Sequence, residues 1–229
     1  MCGRYNLRAT PQEIAEAFAL FREPEIVPRF NIAPTQAVPI VRRTQSGERE
    51  LSFVRWGLIP SWAKDPRIGS SLINARADGI ETKPSFRSAF KRRRCLVPAN
   101  GFYEWQAIPG KKVKQPFEIE LKQRGPFAFA GLWETWKDPE GSPLETCTII
   151  TTEPNEMMST IHTRMPVILH REDHARWLET AETDAQSLLP LLTAYPADEM
   201  QMHAVSTLVN NVKNESPECL KPAEQRSLF

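Results

Sequence analysis

Between residues 94 and 155 the chain runs through "RCLVPANGFYEW", "QPFEIEL", "PFAFAGLWETW" and "LETCTIITTEPN". No other feature constrains the fold as strongly. β-Branched and aromatic residues fill these segments, and the middle two alternate like strands with only "KQRG" between them. "AVPIVRR" and "ERELSFVRWGL" add two strands around a turn at "QSGE". Helical signals are fewer. In "TPQEIAEAFAL", Thr10 is an N-cap, Pro11 takes the first helical position and Glu13 completes a capping box, which predicts a helix over about 11–20. "REDHARWLET" and "AETDAQSLLPLLTA" also read as helical. "IPSWAKDP" and "NARADGIETKPSFRSAFKRR" read as irregular or helical connections, "MMSTIHTRMPVIL" as a loop and a strand, and "MQMHAVSTLVNN" as a final strand and turn. A chain of 229 residues can bury one sizeable core. The expectation is a single α+β domain over 1–220, with a strand-rich, barrel-like central sheet and short peripheral helices. The polar stretch "NESPECLKPAEQRSLF" is expected to be loose, with a flexible tail at 221–229.

The formal net charge is +1, but the charge is unevenly distributed. Residues 1–130 hold 22 basic and 12 acidic side chains, and the remainder holds 7 basic and 16 acidic. Either one face meets a polyanion, or the charges segregate in sequence and mix in space. The four cysteines, Cys2, Cys95, Cys147 and Cys219, form no C-x-x-C pair, and the four histidines supply no metal pattern with them. A reducing compartment, no metal and no cofactor are expected. The start carries no apolar signal segment and no 18-residue apolar run occurs, so a cytoplasmic protein without a membrane span is expected.

Four positions are candidates for chemistry. Cys2 stands directly behind the initiator in "MCGRY". Once Met1 is removed, it carries an α-amine titrating at about pH 7.7–8.0 and a thiol at about 8.5 on adjacent carbons, both partly nucleophilic near neutrality. Taken alone, position 2 favours a cysteine simply buried under the first strand. Glu104 lies between Tyr103 and Trp105, where burial would raise its pKa into the range of a general acid; a solvent-facing strand Glu is the alternative. Asn74 in "SLINARAD" is a polar site residue or a turn residue, and His162 in "STIHTRMP" is a proton carrier or a core histidine. A fifth feature is "KPSFRSAFKRRR", with six basic and no acidic side chains and with Phe86 and Phe90 interleaved. Phosphate contacts combined with base stacking would make it a single-strand binding surface; a solvated helix face is the alternative. Arg4, Arg76 and the 111–114 lysine cluster add to the basic count.

The blocks "MCGRY", "FNIAPTQAVPIV", "RWGLIPSWAKD", "INARAD", "CLVPANGFYEW", "FAFAGLWE", "CTIITTEPN" and "IHTRMPVIL", in this order along almost the whole chain, resemble the SRAP family of SOS-response-associated peptidases. The resemblance implies a protein that shields abasic sites in single-stranded DNA. It places the family nucleophile on Cys2, its ring-opening Asn on Asn74, its acidic residue on Glu104 and its His on His162. It implies DNA-backbone contacts from Arg4 and Arg76, and the basic run adds Phe86, Arg87, Arg92 and Arg94 as DNA-binding candidates. Asn100 stands where many relatives have Asp.

The chemistry so implied is a thiazolidine cross-link between Cys2 and the ring-opened sugar, preceded by loss of Met1, with a weak lyase side reaction. The expected partner is single-stranded DNA containing abasic sites, bound by a monomer that associates with the nucleoid. Two rivals remain: an N-terminal-nucleophile cysteine amidohydrolase, and a non-covalent single-stranded DNA-binding module.

Overall fold

The computed structural model describes residues 2–110, 113–179 and 185–223. In chain order the elements are β1 (Tyr5–Leu7), α1 (Pro11–Phe18), β2 (Arg29–Ile32), β3 (Ala37–Arg43), β4 (Arg49–Trp56), β5 (Asn74–Arg76), α2 (Arg87–Arg92), β6 (Arg94–Ala99), β7 (Gly101–Ala107), β8 (Lys114–Leu121), β9 (Phe127–Lys137), β10 (Pro143–Thr152), α3 (Glu156–Ser159), β11 (Met165–Pro166), β12 (Ile168–Leu169), α4 (His174–Leu178) and β13 (Met200–Ala204), joined by turns and short 3-10 segments.

Five strands close on themselves. β10 pairs with β4, β4 with β3, β3 with β6, β6 with β9, and β9 returns to β10 over seven residue pairs. Closure leaves no free edges on the central sheet. β5 adds to β10 in parallel, and β11 and β12 extend the sheet at its margins. The second sheet is antiparallel, in the order β13-β8-β7-β1-β2. The two sheets share one apolar core. Tyr5 of β1 meets Trp56 of β4 at 5.4 Å and Phe129 of β9 at 5.9 Å between ring centroids, and Phe102 of β7 meets Phe129 at 6.0 Å. Such edge-to-face contacts add to the area these rings remove from water. The fold is α+β with a barrel-like central sheet and short peripheral helices, as expected.

The strands of residues 94–152 and α1 form where expected. The Thr10 hydroxyl accepts the Glu13 N–H, and the Glu13 carboxylate accepts the Thr10 N–H at 2.7 Å. Three expectations are corrected. β1, β2 and β5, three or four residues each, were not anticipated. Of the helix expected in "AETDAQSLLPLLTA", residues 181–184 lie outside the described residues and Ala185–Leu191 is a 3-10 segment containing Pro190. The stretch from residue 214 is not loose up to Ala223. Cys219 is buried with Tyr103, Val205 and Val209, and the Glu215 carboxylate accepts the backbone N–H groups of Phe30 (2.6 Å) and Asn31 (2.8 Å). At 221–223, Ala223 N–H donates to the Ala204 carbonyl and Ser206 N–H to that of Lys221, so the expected tail begins too early at 221. Residues 224–229 lie outside the described residues.

Candidate active site

Cys2 precedes β1, and β1 lies beside β7 with Tyr5 opposite Phe102. The Tyr103 N–H donates to the Arg4 carbonyl at 2.9 Å. Continuing that register brings Gly3 opposite Glu104, so the pairing of one short strand delivers the cysteine to the carboxylate. Gly101 starts β7 because nothing larger fits there: a Cβ would meet Glu118 Oε1 at 2.6 Å. Asn100, just before it, accepts the N–H groups of Arg8 (2.8 Å) and Ala9 (2.9 Å) through Oδ1, a role an amide oxygen fills as well as a carboxylate.

The other half of the site comes from the barrel. β5 runs parallel to β10 with Asn74 opposite Ile149 and Arg76 opposite Thr151. Asn74 Nδ2 donates to the Cys2 carbonyl at 2.9 Å and to the Ile73 carbonyl at 2.8 Å. Its Oδ1 is buried without a hydrogen-bond partner among the described residues. His162 lies on the loop between α3 and β11. Gln106, two residues beyond Glu104, donates to the Thr160 carbonyl at 3.3 Å and fastens that loop to β7. Arg164 fastens it to β10 by donating to the Thr151 carbonyl at 2.6 Å, and also reaches Asp78 at 3.2 Å. The Arg164 N–H donates to His162 Nδ1 at 3.1 Å. A backbone N–H can only donate, so the neutral ring carries its proton on Nε2.

Burial governs the protonation states. It pushes the Cys2 thiol far above its ordinary value, and the nearby Glu104 charge pushes in the same direction. Cys2 is fully enclosed, so its expected partial ionisation near neutrality is corrected for this conformation: the sulfur is a protonated thiol that needs a base. Burial likewise raises Glu104, which is 4% exposed, and thereby makes it a stronger base. It lowers the half-buried His162, keeping the imidazole neutral at neutral pH. The Lys114 charge at the start of β8 reaches both Glu104 and His162.

The DNA-binding candidates separate. Arg76, Arg87 and Arg92 are exposed and make no ion pair among the described residues. Arg94 is corrected. At 1% exposure it donates to the carbonyls of Trp177 (2.7 Å), Phe90 (2.6 Å), Lys91 (2.9 Å) and Glu179, tying α2 to α4. Phe86 is corrected too, because it is buried against the core with Ala89 and Phe90 and offers no face to a base. Arg4 is committed inward: it donates to Asn31 Oδ1 and to the Val209 carbonyl, both at 2.7 Å, and lies over the Trp105 ring. Lys111 and Lys112 lie outside the described residues, and Lys114 is exposed. Much of the segregated charge mixes in space, through pairs such as Arg42–Glu145 and Arg29–Glu215. Sequence reasoning missed Arg164 and the buried Asn31, which donates to three carbonyls of residues 209–214. The only available signal for Arg164 was its place two residues after His162.

Among the described residues, no group of His, Cys, Asp or Glu side chains could hold a metal ion, and no helix is long and apolar enough to cross a membrane. The fold and site define a barrel protein in which a cysteine at the second position meets an amide, a carboxyl group and, on an adjoining loop, an imidazole. The family model for SOS response associated peptidase (SRAP) matches residues 1–212, and the chain belongs to that family. It is 48% identical over 224 residues to the abasic site processing protein YoqW of Bacillus subtilis (strain 168), covering 96% of this chain and 99% of the relative. It is 32% identical to the abasic site processing protein HMCES of Rattus norvegicus, over 98% of this chain and 76% of that one. An X-ray structure of a protein from Bacteroides thetaiotaomicron superposes with a TM-score of 0.86 at 27% identity, covering 97% of this chain and all of that one.

Proposed function

We propose that this protein captures abasic sites in single-stranded DNA by forming a covalent thiazolidine at Cys2 after Met1 is removed. The observation that carries the reading is the Asn74–Cys2 hydrogen bond, with the buried Glu104 beside the thiol. The names of the relatives, abasic site processing proteins, agree with it.

The steps follow from the side chains. The ring-opened abasic sugar presents an aldehyde. The Cys2 amine attacks its carbon, and the carbonyl oxygen takes a proton from protonated Glu104. The nitrogen then gives up two protons, one to the oxygen, which leaves as water, and one to solvent, and an imine beside ionised Glu104 remains. The Cys2 sulfur then attacks the imine carbon. Its proton passes through the Glu104 carboxylate to the nitrogen, closing a five-membered ring with net loss of one water. Both nucleophiles sit on one residue, so the second attack is intramolecular. Asn74, whose Nδ2 fixes the Cys2 backbone, has its Oδ1 left to accept a sugar hydroxyl. Neutral His162 donates from Nε2 to the sugar oxygen and favours the open form. Ring closure competes with β-elimination, so strand cleavage is a minor lyase outcome. Removal of Met1 by the same site would use Glu104 as the base that the protonated thiol requires. Arg76, Arg87 and Arg92 serve as phosphate contacts that position the strand without reading its sequence.

Purified protein is mixed with two single-stranded oligonucleotides that differ only by one abasic sugar, and the products are run on a denaturing gel. Covalent capture gives a retarded band with the abasic strand alone, and Cys2→Ala removes it. A non-covalent module gives no retarded band, and an amidohydrolase gives none and instead releases ammonia from glutamine.

A further inference from the structure

Cys2, Gly3 and Arg4 precede a strand of only three residues, β1. A segment at the margin of a sheet frays unless something ties it down. Two ties act on its backbone: Asn74 Nδ2 donates to the Cys2 carbonyl, and the Tyr103 N–H donates to the Arg4 carbonyl. The third tie is a side chain. Arg4 Nη1 donates to Asn31 Oδ1 and to the Val209 carbonyl, both at 2.7 Å. Asn31 stands on β2, the strand beside β1, and is fully buried. Its Nδ2 donates to the carbonyls of Asn214 (2.8 Å) and Asn211 (3.0 Å), and at 3.3 Å to that of Val209. One amide thus spends its acceptor on Arg4 and its donors on the segment 209–214. A buried amide satisfied on both sides has a fixed orientation, and it fixes what it holds. The same segment steadies Trp105, the neighbour of Glu104. Trp105 Nε1 donates to Asn210 Oδ1 at 2.7 Å, and the Arg4 guanidinium lies 5.6 Å from the Trp105 ring centroid. The Arg4 backbone faces the nucleophile. Its N–H is turned to the Cys2 sulfur and favours the thiolate, against the burial and the Glu104 charge that oppose it. Such an N–H stabilises a developing negative charge only while the backbone that carries it is held in place.

We infer that Asn31 is a positioning residue for the reaction at Cys2: by holding the Arg4 guanidinium it keeps the Arg4 N–H on the sulfur and the Cys2 backbone beside Glu104. Asn31 reaches the sulfur only through Arg4. By this route the segment 209–214, distant in sequence from the nucleophile, becomes part of the frame that aims it. The role rests on the proposed capture at Cys2 and adds to it a residue that touches none of the reacting atoms.

The test is a double-mutant cycle on the intact protein, with Met1 loss confirmed by mass. The parent, Asn31→Leu, Arg4→Met and the double variant react with a saturating abasic single strand. The Kd for an otherwise identical intact strand is measured beside the maximal rate of adduct formation. The maximal rate should fall about tenfold or more in each single variant, since small misplacements of a reacting group are costly. The double variant should be no slower than the slower single, the signature of two residues that act as one. The Kd of Asn31→Leu should stay within about twofold of the parent's. Losses that multiply, a maximal rate unchanged in Asn31→Leu, or a loss carried by Kd alone overturns the inference. Amide hydrogen exchange without DNA supplies a readout that does not depend on capture. In Asn31→Leu the Tyr103 amide, bonded to the Arg4 carbonyl, should speed up by about tenfold more than the amides of the β9–β10 ladder. Uniform acceleration marks a general loss of stability and overturns the positioning role. A parent that forms no linkage overturns the capture reading and this role with it, whereas a variant that reacts like a linking parent overturns the positioning alone.

Discussion

Asn74 Nδ2 donates to the Cys2 carbonyl at 2.9 Å, and through this bond β5 fixes the backbone of a residue that leads into the other sheet. The donor cannot be replaced by an isosteric acceptor. Asn74→Asp sets a carboxylate against the carbonyls of Cys2 and Ile73, both of which now accept from Nδ2. Loss of one such bond is worth about 1 kcal/mol, and the unsatisfied carbonyls add about as much again. Adduct formation should slow at least about tenfold in a time course, the equivalent of ~1.4 kcal/mol. Equal rates in parent and variant would remove Asn74 from the site.

Glu104→Gln should separate activity from stability. Burial raises the folded-state pKa of Glu104 above its unfolded value. A carboxyl group raised in this way favours the fold when protonated. That contribution is fully present below the unfolded pKa and is lost as pH rises through the folded one. At neutral pH, above the unfolded value, the burial of Glu104 therefore opposes folding, and Gln removes the opposition. The variant should melt at or above the parent's temperature at pH 7, with a flatter dependence on pH. Its adduct formation should fall by about 100-fold or more, the usual contribution of a general acid–base group, and lose the limb that titrates above an ordinary Glu. Protein whose Met1 loss is confirmed by mass keeps the two steps apart. A variant that melts lower and reacts at the parent's rate contradicts both assignments.

The basic run should divide into structural and binding members. Arg94→Ala leaves four carbonyls without their cation, including those of Phe90 and Trp177. A hydrogen bond to a charged group is worth about 1.5–3 kcal/mol, so chemical denaturation should show a loss of about 3 kcal/mol or more. Arg87→Gln and Arg92→Gln should leave stability within about 0.5 kcal/mol. They should also reduce the salt dependence of single-strand binding, by about 0.7 in log–log slope for each phosphate contact removed. A salt slope that neither exposed variant changes would take the phosphate contacts off this face.

His174 should make the protein acid-sensitive. Its pKa falls from 6.5 to about 4 on burial, so the folded state resists protonation. Protons taken up by the unfolded chain then drive unfolding as pH falls from the unfolded value of 6.5 towards 4. A shift of this size corresponds to up to about 3 kcal/mol. His174→Phe should flatten the stability profile over that window and leave it unchanged above pH 7. The measurement is denaturant unfolding at pH 4.5 and 7.5; equal pH dependence in parent and variant contradicts it.

The long strands were legible because β-branched and aromatic residues persist over six or more positions, as in β9 and β10. β1 and β2 were not, because three or four residues carry no period, and their pairing depends on partners distant in sequence. The capping box at Thr10 could be read directly, since all its atoms are local. Cys2, Asn74, Glu104 and His162 were nominated through the family blocks, and no local signal distinguished any of them from a structural residue. The misplacement of Phe86 and Arg94 was avoidable. Phe86, Ala89 and Phe90 recur at helical spacing, which points one face of α2 into the core. Asn31 and Arg164 could not have been found that way, because a buried polar hub is specified by the carbonyls that surround it after folding.

The most direct test of the central claim is the mass of the linked product. The protein is incubated with an abasic single strand without reductant and digested with protease and nuclease, and the nucleopeptide is sequenced by tandem mass spectrometry. The predicted product begins at Cys2, lacks Met1, and weighs the sum of peptide and abasic nucleotide less one water, with borohydride adding no hydrogen. A linkage at any other residue, or a Cys2 product that retains Met1, contradicts capture by the paired amine and thiol.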